Sequence, residues 1–109
     1  MIFYHRLNAA GDPERITEAE YVSSCTSEGT LMEMRARVDR TEIGQVTVST
    51  VLLPVTFATG DEVPKIFETM VFGLPEMDDY QFRTSSLVTA KRTHTETVAA
   101  VELILKETK

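Results

Sequence analysis

The most regular pattern of hydrophobic and polar positions lies in residues 31–40. Apolar and charged side chains alternate there: Met32, Met34, Ala36 and Val38 are apolar, and Glu33, Arg35, Arg37 and Asp39 are charged. A period of two residues is the period of a β-strand that buries one face and exposes the other. The pattern therefore predicts a half-buried antiparallel strand over residues 31–40, followed by a turn at residues 41–44.

Two later hydrophobic segments predict two more strands. Residues 45–55 read QVTVSTVLLPV, and their later half is apolar on both faces, as is typical of a strand in the centre of a sheet. Pro54 should end the regular pairing, because proline has no N–H to donate. Residues 65–73 read KIFETMVFG and follow a short polar loop. Three consecutive strands joined by short loops predict an antiparallel meander.

The last quarter of the chain has a helical pattern. Ser86 is a candidate N-cap, and the positions after it repeat at intervals of three and four residues. The repeating positions are Leu87, Ala90, His94, Val98, Val101 and Leu105. This spacing predicts one long amphipathic helix over residues 87–107.

The N-terminal quarter predicts a short strand over residues 1–6, a turn at residues 11–13 and a short helix. Thr17 and Glu20 have the spacing of a capping box, which places the helix at residues 18–24. The polar residues that follow, CTSEGT, should end it. The whole pattern predicts one α+β domain over residues 1–109. Its core is an antiparallel meander sheet of three to four strands, with the C-terminal helix packed on one face.

Composition and charge limit the possible functions. Hydrophobic residues make up 42% of the chain and charged residues 26%, which is typical of a globular protein. No apolar segment is long enough to cross a bilayer, so no membrane partner is expected. The single cysteine, Cys25, fits a reducing compartment and thus the cytoplasm. The net charge of −6 disfavours direct binding to nucleic acid, although an acidic surface could meet a basic protein partner.

One glutamate interrupts the apolar strand KIFETMVFG. Both faces of that strand are mostly apolar, so Glu68 cannot easily avoid burial, and a buried carboxylate is costly unless it is paired or hydrogen-bonded. One interpretation is an ion pair with an arginine near a sheet edge or a subunit interface. The other is a polar site for a small ligand. The candidate partners are Arg35 and Arg37 on the first strand, Ser49 and Thr50 on the second, and Arg83 after the third.

The sequence contains no recognisable catalytic set. Nucleophilic catalysis needs a nucleophile, a base within hydrogen-bond reach and a group that orients the base, and only Cys25, His5 and His94 are available. His94 lies on the apolar stripe of the predicted helix, which favours a core or interface role. We therefore predict no catalytic residue, metal or cofactor. A small enzyme that uses Glu68 as a general base with an arginine is the weaker alternative.

Three segments carry a resemblance to a known family. IGQVTVSTVLL, FETMVFG and RTSSLVTAKRTHTETVAAV, in this order and spacing, resemble small, mostly uncharacterised proteins of tailed bacteriophages and prophages. The resemblance places residues 48–51 on the first family motif, residues 67–73 on the second, and Ser86 and His94 on the helix. Family members commonly carry an Asp-His pair after the first motif and a Gly-rich, Pro-Pro loop before the second, where this chain reads PVTFATGDEVP. A role for that histidine is therefore not carried over.

The resemblance implies a phage-encoded accessory protein that acts by binding. The expected function is inhibition of host defence, as an anti-CRISPR-like protein does, by one of two routes. The first is docking on a basic surface of an immune complex through Asp61, Glu62, Glu76, Asp78 and Asp79. The second is sequestration of a small nucleotide between subunits, with Arg35, Arg37 and Arg83 on its phosphates and Tyr80 or Phe82 stacked on its base.

A structural or virion-associated protein is the alternative function. A homo-oligomer is expected in every case, because the long helix can cover only one face of the sheet. The other face, with Val51, Leu53 and Phe67 if they point together, still needs a cover. A second copy of the chain would supply it.

Overall fold

The structure is a computed structural model that describes residues 1–28 and 36–107, with side chains over residues 1–24 and 37–107. Arg35 and the first half of the predicted strand at residues 31–40 lie outside the described residues. The elements in chain order are β1 (Ile2–Leu7), β2 (Pro13–Ile16), α1 (Glu18–Glu28), β3 (Ala36–Ile43), β4 (Val46–Leu52), β5 (Val55–Phe57), β6 (Phe67–Phe72), β7 (Gln81–Thr84) and α2 (Leu87–Glu107), with one 3-10 turn (Pro75–Met77) between β6 and β7.

The fold is α+β, as the sequence predicts. A four-stranded antiparallel sheet has the strand order β3-β4-β6-β7, and α2 packs on one of its faces. A second antiparallel sheet of three strands has the order β2-β1-β5 and was not predicted. Its strands β2 and β5 have only four and three residues, β2 begins with Pro13 and β5 directly follows Pro54, so they read as turn and loop segments in the sequence.

Strand β4 determines which residues face α2. Every second residue is buried against the helix, from Val46 to Leu52, and the residues between them are half-buried on the opposite face. β4 ends before Pro54, as predicted, and the chain then enters the small sheet as β5. Phe67 faces α2, and Leu53 is buried after the end of β4. Of the three residues expected to need an external cover, only Val51 lies on the face that α2 does not cover.

Helix α2 has the bounds predicted from its periodicity. Ser86 Oγ accepts a hydrogen bond from the backbone N–H of Thr89 at 3.1 Å, which caps the helix N-terminus. Its buried residues contact the β4 and β6 side chains that point toward the helix. The two resulting core clusters are Val46, Val48, Val71, Leu74 and Val101, and Leu52, Ile66, Phe67 and Ala90.

Helix α1 begins where its capping box predicts. Glu20 N donates to Thr17 Oγ1 at 3.1 Å, and Thr17 N donates to Glu20 Oε1 at 3.0 Å. The predicted end at residue 24 is wrong, because the helix continues to Glu28. Ser24 Oγ donates to the Glu20 carbonyl at 2.9 Å, so this hydroxyl bonds within the helix instead of interrupting it. Neither helix of the described residues is long and apolar enough to cross a membrane.

Candidate functional site

The face of the four-stranded sheet that α2 does not cover is called the open face below. Glu68 lies on it, opposite Val51 of β4 and Arg83 of β7. The side chain of Glu68 is only 2% exposed. Its Oε2 accepts hydrogen bonds from Arg83 Nε at 2.9 Å and from Gln81 Nε2. These two donors compensate the burial of the carboxylate.

The structure therefore pairs Glu68 with Arg83, one of the arginines suggested by the sequence. The Arg83 side chain is about half exposed, so the pair joins a buried carboxylate to a hydrated guanidinium. Gln81 was not anticipated as a second donor. Gln81 could have been predicted from the two-residue period of a strand, because it lies two positions before Arg83 on β7 and therefore shares its face.

Ser49 and Thr50 lie on opposite faces of the sheet. Ser49 is on the open face, opposite Met70 of β6. Thr50 faces α2, so the prediction that it is a partner of Glu68 is wrong. Adjacent residues of a strand point in opposite directions, and only one of the two hydroxyls could accompany Glu68.

Thr50 instead belongs to a buried hydrogen-bonded group around His94. Thr50 Oγ1 lies 2.8 Å from His94 Nδ1 and 2.7 Å from Thr69 Oγ1, and Thr41 Oγ1 lies 2.9 Å from His94 Nε2. The Asp39 carboxylate, 3.7 Å from Nε2, favours the hydrogen on that nitrogen. His94 is a residue of α2 that is buried against the sheet, and both of its ring nitrogens are thus bonded. His94 is a core residue, as the sequence favours, and its hydrogen bonds give it a structural role.

A β-bulge in β3 decides which of its charges reach the open face. The register shifts between Arg37 and Asp39, which turns Asp39 toward α2 and leaves Arg37 and Arg40 on the open face. The strict alternation predicted for this strand fails at that point. Arg40 forms an exposed ion pair with Glu42 at 3.2 Å. Arg37 makes no ion pair with any described residue.

The two arginines border a depression of about 270 Å³ in the open face. Phe72, about half exposed, and the hydroxyl of Ser49 also line it. Arg40 and Phe72 were not among the predicted site residues. Phe72 lies on the same face of β6 as Glu68 and could have been predicted from the two-residue period of that strand. The position of Arg40 depends on the bulge in β3, which the sequence pattern does not indicate.

The predicted nucleotide site is not assembled as the sequence suggested. Tyr80 is half-buried against α2, and its hydroxyl lies 3.0 Å from Thr97 Oγ1. Phe82 pairs with Thr69 and faces the same side as the helix. Both aromatic rings thus lie on the opposite side of the sheet from Arg37 and Arg83. The reason is again the strand period, because Phe82 and Arg83 are adjacent.

The five acidic residues expected to form one docking array fall into two groups. Asp61 and Glu62 precede β6, whereas Glu76, Asp78 and Asp79 follow it. A strand of six residues spans about 20 Å, so the groups lie at opposite ends of the sheet. Hydrogen bonds from the hydroxyl and backbone N–H of Thr59 hold the pKa of Glu62 below its ordinary value.

Glu76 of the second acidic group lines a cavity that is called the acidic cleft below. It measures about 780 Å³ and lies between the β3–β4 turn, the segment after β6 and the last turns of α2. Its lining residues are Ile43, Gly44, Gln45, Val46, Gly73, Leu74, Pro75, Glu76, Glu102, Leu105 and Lys106.

Two glycines form one wall of the acidic cleft. Gly44 has φ +61° and Gly73 has φ +88°, a backbone conformation that favours glycine. A Cβ on Gly73 would also lie 2.5 Å from the carbonyl oxygen of Gln45. The last residue of the FETMVFG motif is therefore a glycine because the two chain segments meet there.

The acidic cleft joins an apolar floor to a negative rim. Glu76 and Glu102 outnumber Lys106 on its lining, and Asp78 and Asp79 follow the 3-10 turn that carries Glu76. The C-terminal end of α2 adds the partial negative charge of the helix dipole. Such a cleft can hold an apolar group that carries positive charge.

Neither surface contains a set of residues suited to a metal. Within residues 1–28 and 36–107, no three His, Cys, Asp or Glu side chains are close enough to hold an ion. Comparison with known proteins finds no match: no family model, curated protein or solved structure is similar enough to this chain.

Proposed function

We propose that this chain is an accessory binding protein, not an enzyme, and that it docks a basic segment of a partner protein in the acidic cleft. The observation that carries the proposal is an apolar cavity of about 780 Å³ with carboxylates on its rim. Its volume falls in the range of about 300–1,000 Å³ that is usual for binding pockets. The open-face depression, at about 270 Å³, is smaller than that range.

The charge of the acidic cleft favours a basic amphipathic partner. Glu76 and Glu102 would pair with Arg or Lys side chains of the partner, and the apolar floor would hold a hydrophobic anchor beside them. Lys106 opposes this preference by one charge. Asp78 and Asp79, close to the rim, would steer the partner at longer range.

The resemblance to phage and prophage proteins supports a biological setting for this docking. We propose that the protein acts in the bacterial cytoplasm as a host-defence inhibitor that is anti-CRISPR-like in its mode of action. Proteins that handle nucleic acids present basic surfaces, because they neutralise phosphates. An immune complex of that kind offers the chemistry that the acidic cleft fits, and the protein itself would not bind nucleic acid.

Nucleotide sequestration and catalysis have weaker support. Arg37 and Arg40 border the open-face depression beside Phe72, but Arg40 is already paired with Glu42. A general base must reach a substrate proton, and Glu68 is buried with two donors on one carboxylate oxygen. Nucleotide sequestration is therefore the weaker candidate, and the mass spectrometry experiment below would detect it.

Peptide binding provides the test. The probes are a short synthetic peptide of alternating leucine and arginine and a control peptide with glutamate in place of arginine, measured by calorimetry. Glu102→Lys should weaken binding of the basic peptide by about tenfold, because it reverses a charge on the cleft lining. The matched control is Asp61→Lys, which makes the same change in net charge at the far end of β6 and should have a much smaller effect.

Several outcomes would contradict the proposal. Equal losses in Glu102→Lys and Asp61→Lys would indicate attraction by net charge alone, and equal binding of both peptides would exclude charge recognition. Native mass spectrometry of protein purified from a bacterial host is the complementary measurement. Release of a bound nucleotide there, with no peptide binding, would replace docking by sequestration at the open face.

A further inference from the structure

The small sheet exposes a group of apolar side chains on one face. Ile2 lies directly opposite Phe57, and Tyr4 lies directly opposite Val55, so all four side chains share that face. Ile2 is 53% exposed and Phe57 is 68% exposed, and Val55 is also exposed. Ile2, Val55 and Phe57 are called the apolar patch below.

The apolar patch is the uncovered part of a face that is otherwise packed. Helix α1 covers the neighbouring part, where the rings of Tyr21 and Tyr4 have centroids 4.9 Å apart and Ile16 is buried. The opposite face of the small sheet meets the main core through Leu7. Within the described residues, the apolar patch is the part of these faces whose hydrophobic side chains stay largely exposed.

The chain as a whole exposes more surface than a compact monomer of its mass. The chain has an accessible surface of 7123 Å², whereas a folded monomer of 12.2 kDa is expected to expose about 6,100 Å². The difference, about 1,000 Å², belongs to the whole chain, and the exposed side chains of Ile2, Val55 and Phe57 are one contribution to it. The radius of gyration, 15.3 Å, also exceeds the value of about 13 Å expected for 109 residues.

We propose that the apolar patch is the interface of a twofold-symmetric homodimer, so that its occupant is the same patch on a second copy of this chain. An isologous interface must be self-complementary, and an uncharged apolar surface meets that condition without a partner of opposite charge. Arg6 and Glu14, the charged residues on the same sheet face, are bonded to each other at 2.6 Å. The net charge of −6 disfavours an anionic membrane as the occupant.

The dimer would leave the proposed docking site free. The apolar patch follows the Leu52 end of β4, and the acidic cleft lies at its Val46 end. A strand of seven residues separates them by about 23 Å. Two copies joined through their apolar patches would therefore carry two acidic clefts far from the interface. The inference does not depend on what the acidic cleft binds.

Sedimentation velocity at tens of micromolar tests the inference. The wild-type chain should sediment as a dimer of twice 12.2 kDa, and Phe57→Glu should sediment as a monomer, since the interface would bury two unpaired carboxylates, one from each copy. The matched control is Val88→Glu. Val88 is an apolar residue of α2 that is 74% exposed, and its replacement should leave the dimer intact.

The alternatives are distinguishable. A wild-type monomer at this concentration would overturn the inference, and so would a Phe57→Glu dimer or dissociation by Val88→Glu. If Phe57→Glu does not fold, as judged by circular dichroism, Phe57→Ala replaces it. That variant should raise the dimer dissociation constant by at least about tenfold, and an unchanged constant would place the interface elsewhere.

Discussion

The two sheets differ in whether their buried polar groups have hydrogen-bond partners. Beneath α2, both ring nitrogens of His94 are bonded to threonine hydroxyls, and Thr50 also bonds Thr69. In the three-stranded sheet, His5 Nδ1 and Thr56 Oγ1 are buried with no hydrogen-bond partner among the described residues. Buried polar groups are normally paired, so the contrast separates a self-sufficient region from an incomplete one.

His5 and Thr56 lie on the same face of the small sheet as Leu7, which packs on the main core, and not on the face that α1 covers. Helix α2 has 21 residues and lies along the four-stranded sheet, whereas α1 has 11 residues and covers part of the small sheet. The edge of the four-stranded sheet is less complete, since Thr84 Oγ1 at the end of β7 is also buried and unpaired within the described chain. Buried hydroxyl groups without a described partner thus occur in both sheets, and the paired group is the one around His94.

The largest expected effect comes from breaking the self-sufficient region. His94→Ala should lower the free energy of unfolding by about 3 kcal/mol or more, because it leaves a cavity and removes a partner from the hydroxyls of Thr41 and Thr50. Urea unfolding measures the change. Thr95→Ala, an exposed position on the same helix, is the control and should cost well under about 1 kcal/mol. A comparably small loss for His94→Ala would mean that the network contributes little.

What the sequence predicts correctly is local. The bounds of α2 follow from a 3.6-residue period and a serine cap, and the start of α1 follows from the Thr17–Glu20 pair. The assignment of Glu68 to the face opposite Phe67 follows from the two-residue period. Each of these predictions uses residues within one element.

What the sequence does not predict depends on contacts between distant segments. The bulge in β3 moves Asp39 toward His94, 55 positions later, and leaves Arg40 on the open face. The acidic cleft exists because the chain at Gly73 approaches Gln45. The small sheet joins β1 to β5, a pairing between Ile2 and Phe57. No local pattern contains these distances, so the alternation of residues 31–40 and the five-residue acidic array were misleading.

A smaller loss of stability is expected on the open face, where the buried Glu68 carboxylate is paired with the half-exposed Arg83. Arg83→Ala should lower stability by about 2 kcal/mol, because Glu68 stays buried with Gln81 as its remaining described partner. Glu68→Gln should cost about 1 kcal/mol or less, because the half-exposed Arg83 keeps its water. Urea unfolding of both variants and of the double mutant gives the coupling energy. Equal losses of stability in Arg83→Ala and Glu68→Gln would show that burial of the carboxylate does not make the first substitution more costly than the second.

The smallest effect concerns the histidine of the incomplete sheet. Burial, and then the charge of Arg15, lower the pKa of His5 below its ordinary value of 6.5. The unfolded chain therefore binds the proton more readily, so the contribution of His5 to stability is complete above about pH 6.5 and falls as the pH drops below it. His5→Gln cannot titrate and should lose this part of the slope between about pH 7 and about pH 5.5.

The pH window separates His5 from the carboxylates. Glu20 and Glu62 have pKa values lowered from 4.5 by bonds to Thr17 and Thr59, so their contribution is present above about pH 4.5 and is lost only at lower pH. Unfolding by urea at fixed protein concentration should therefore show a shallower slope in His5→Gln than in the wild type above about pH 5. Identical slopes of stability against pH in the two proteins would show that the titrating group is not His5. The comparison of His5 with His94 would then not hold.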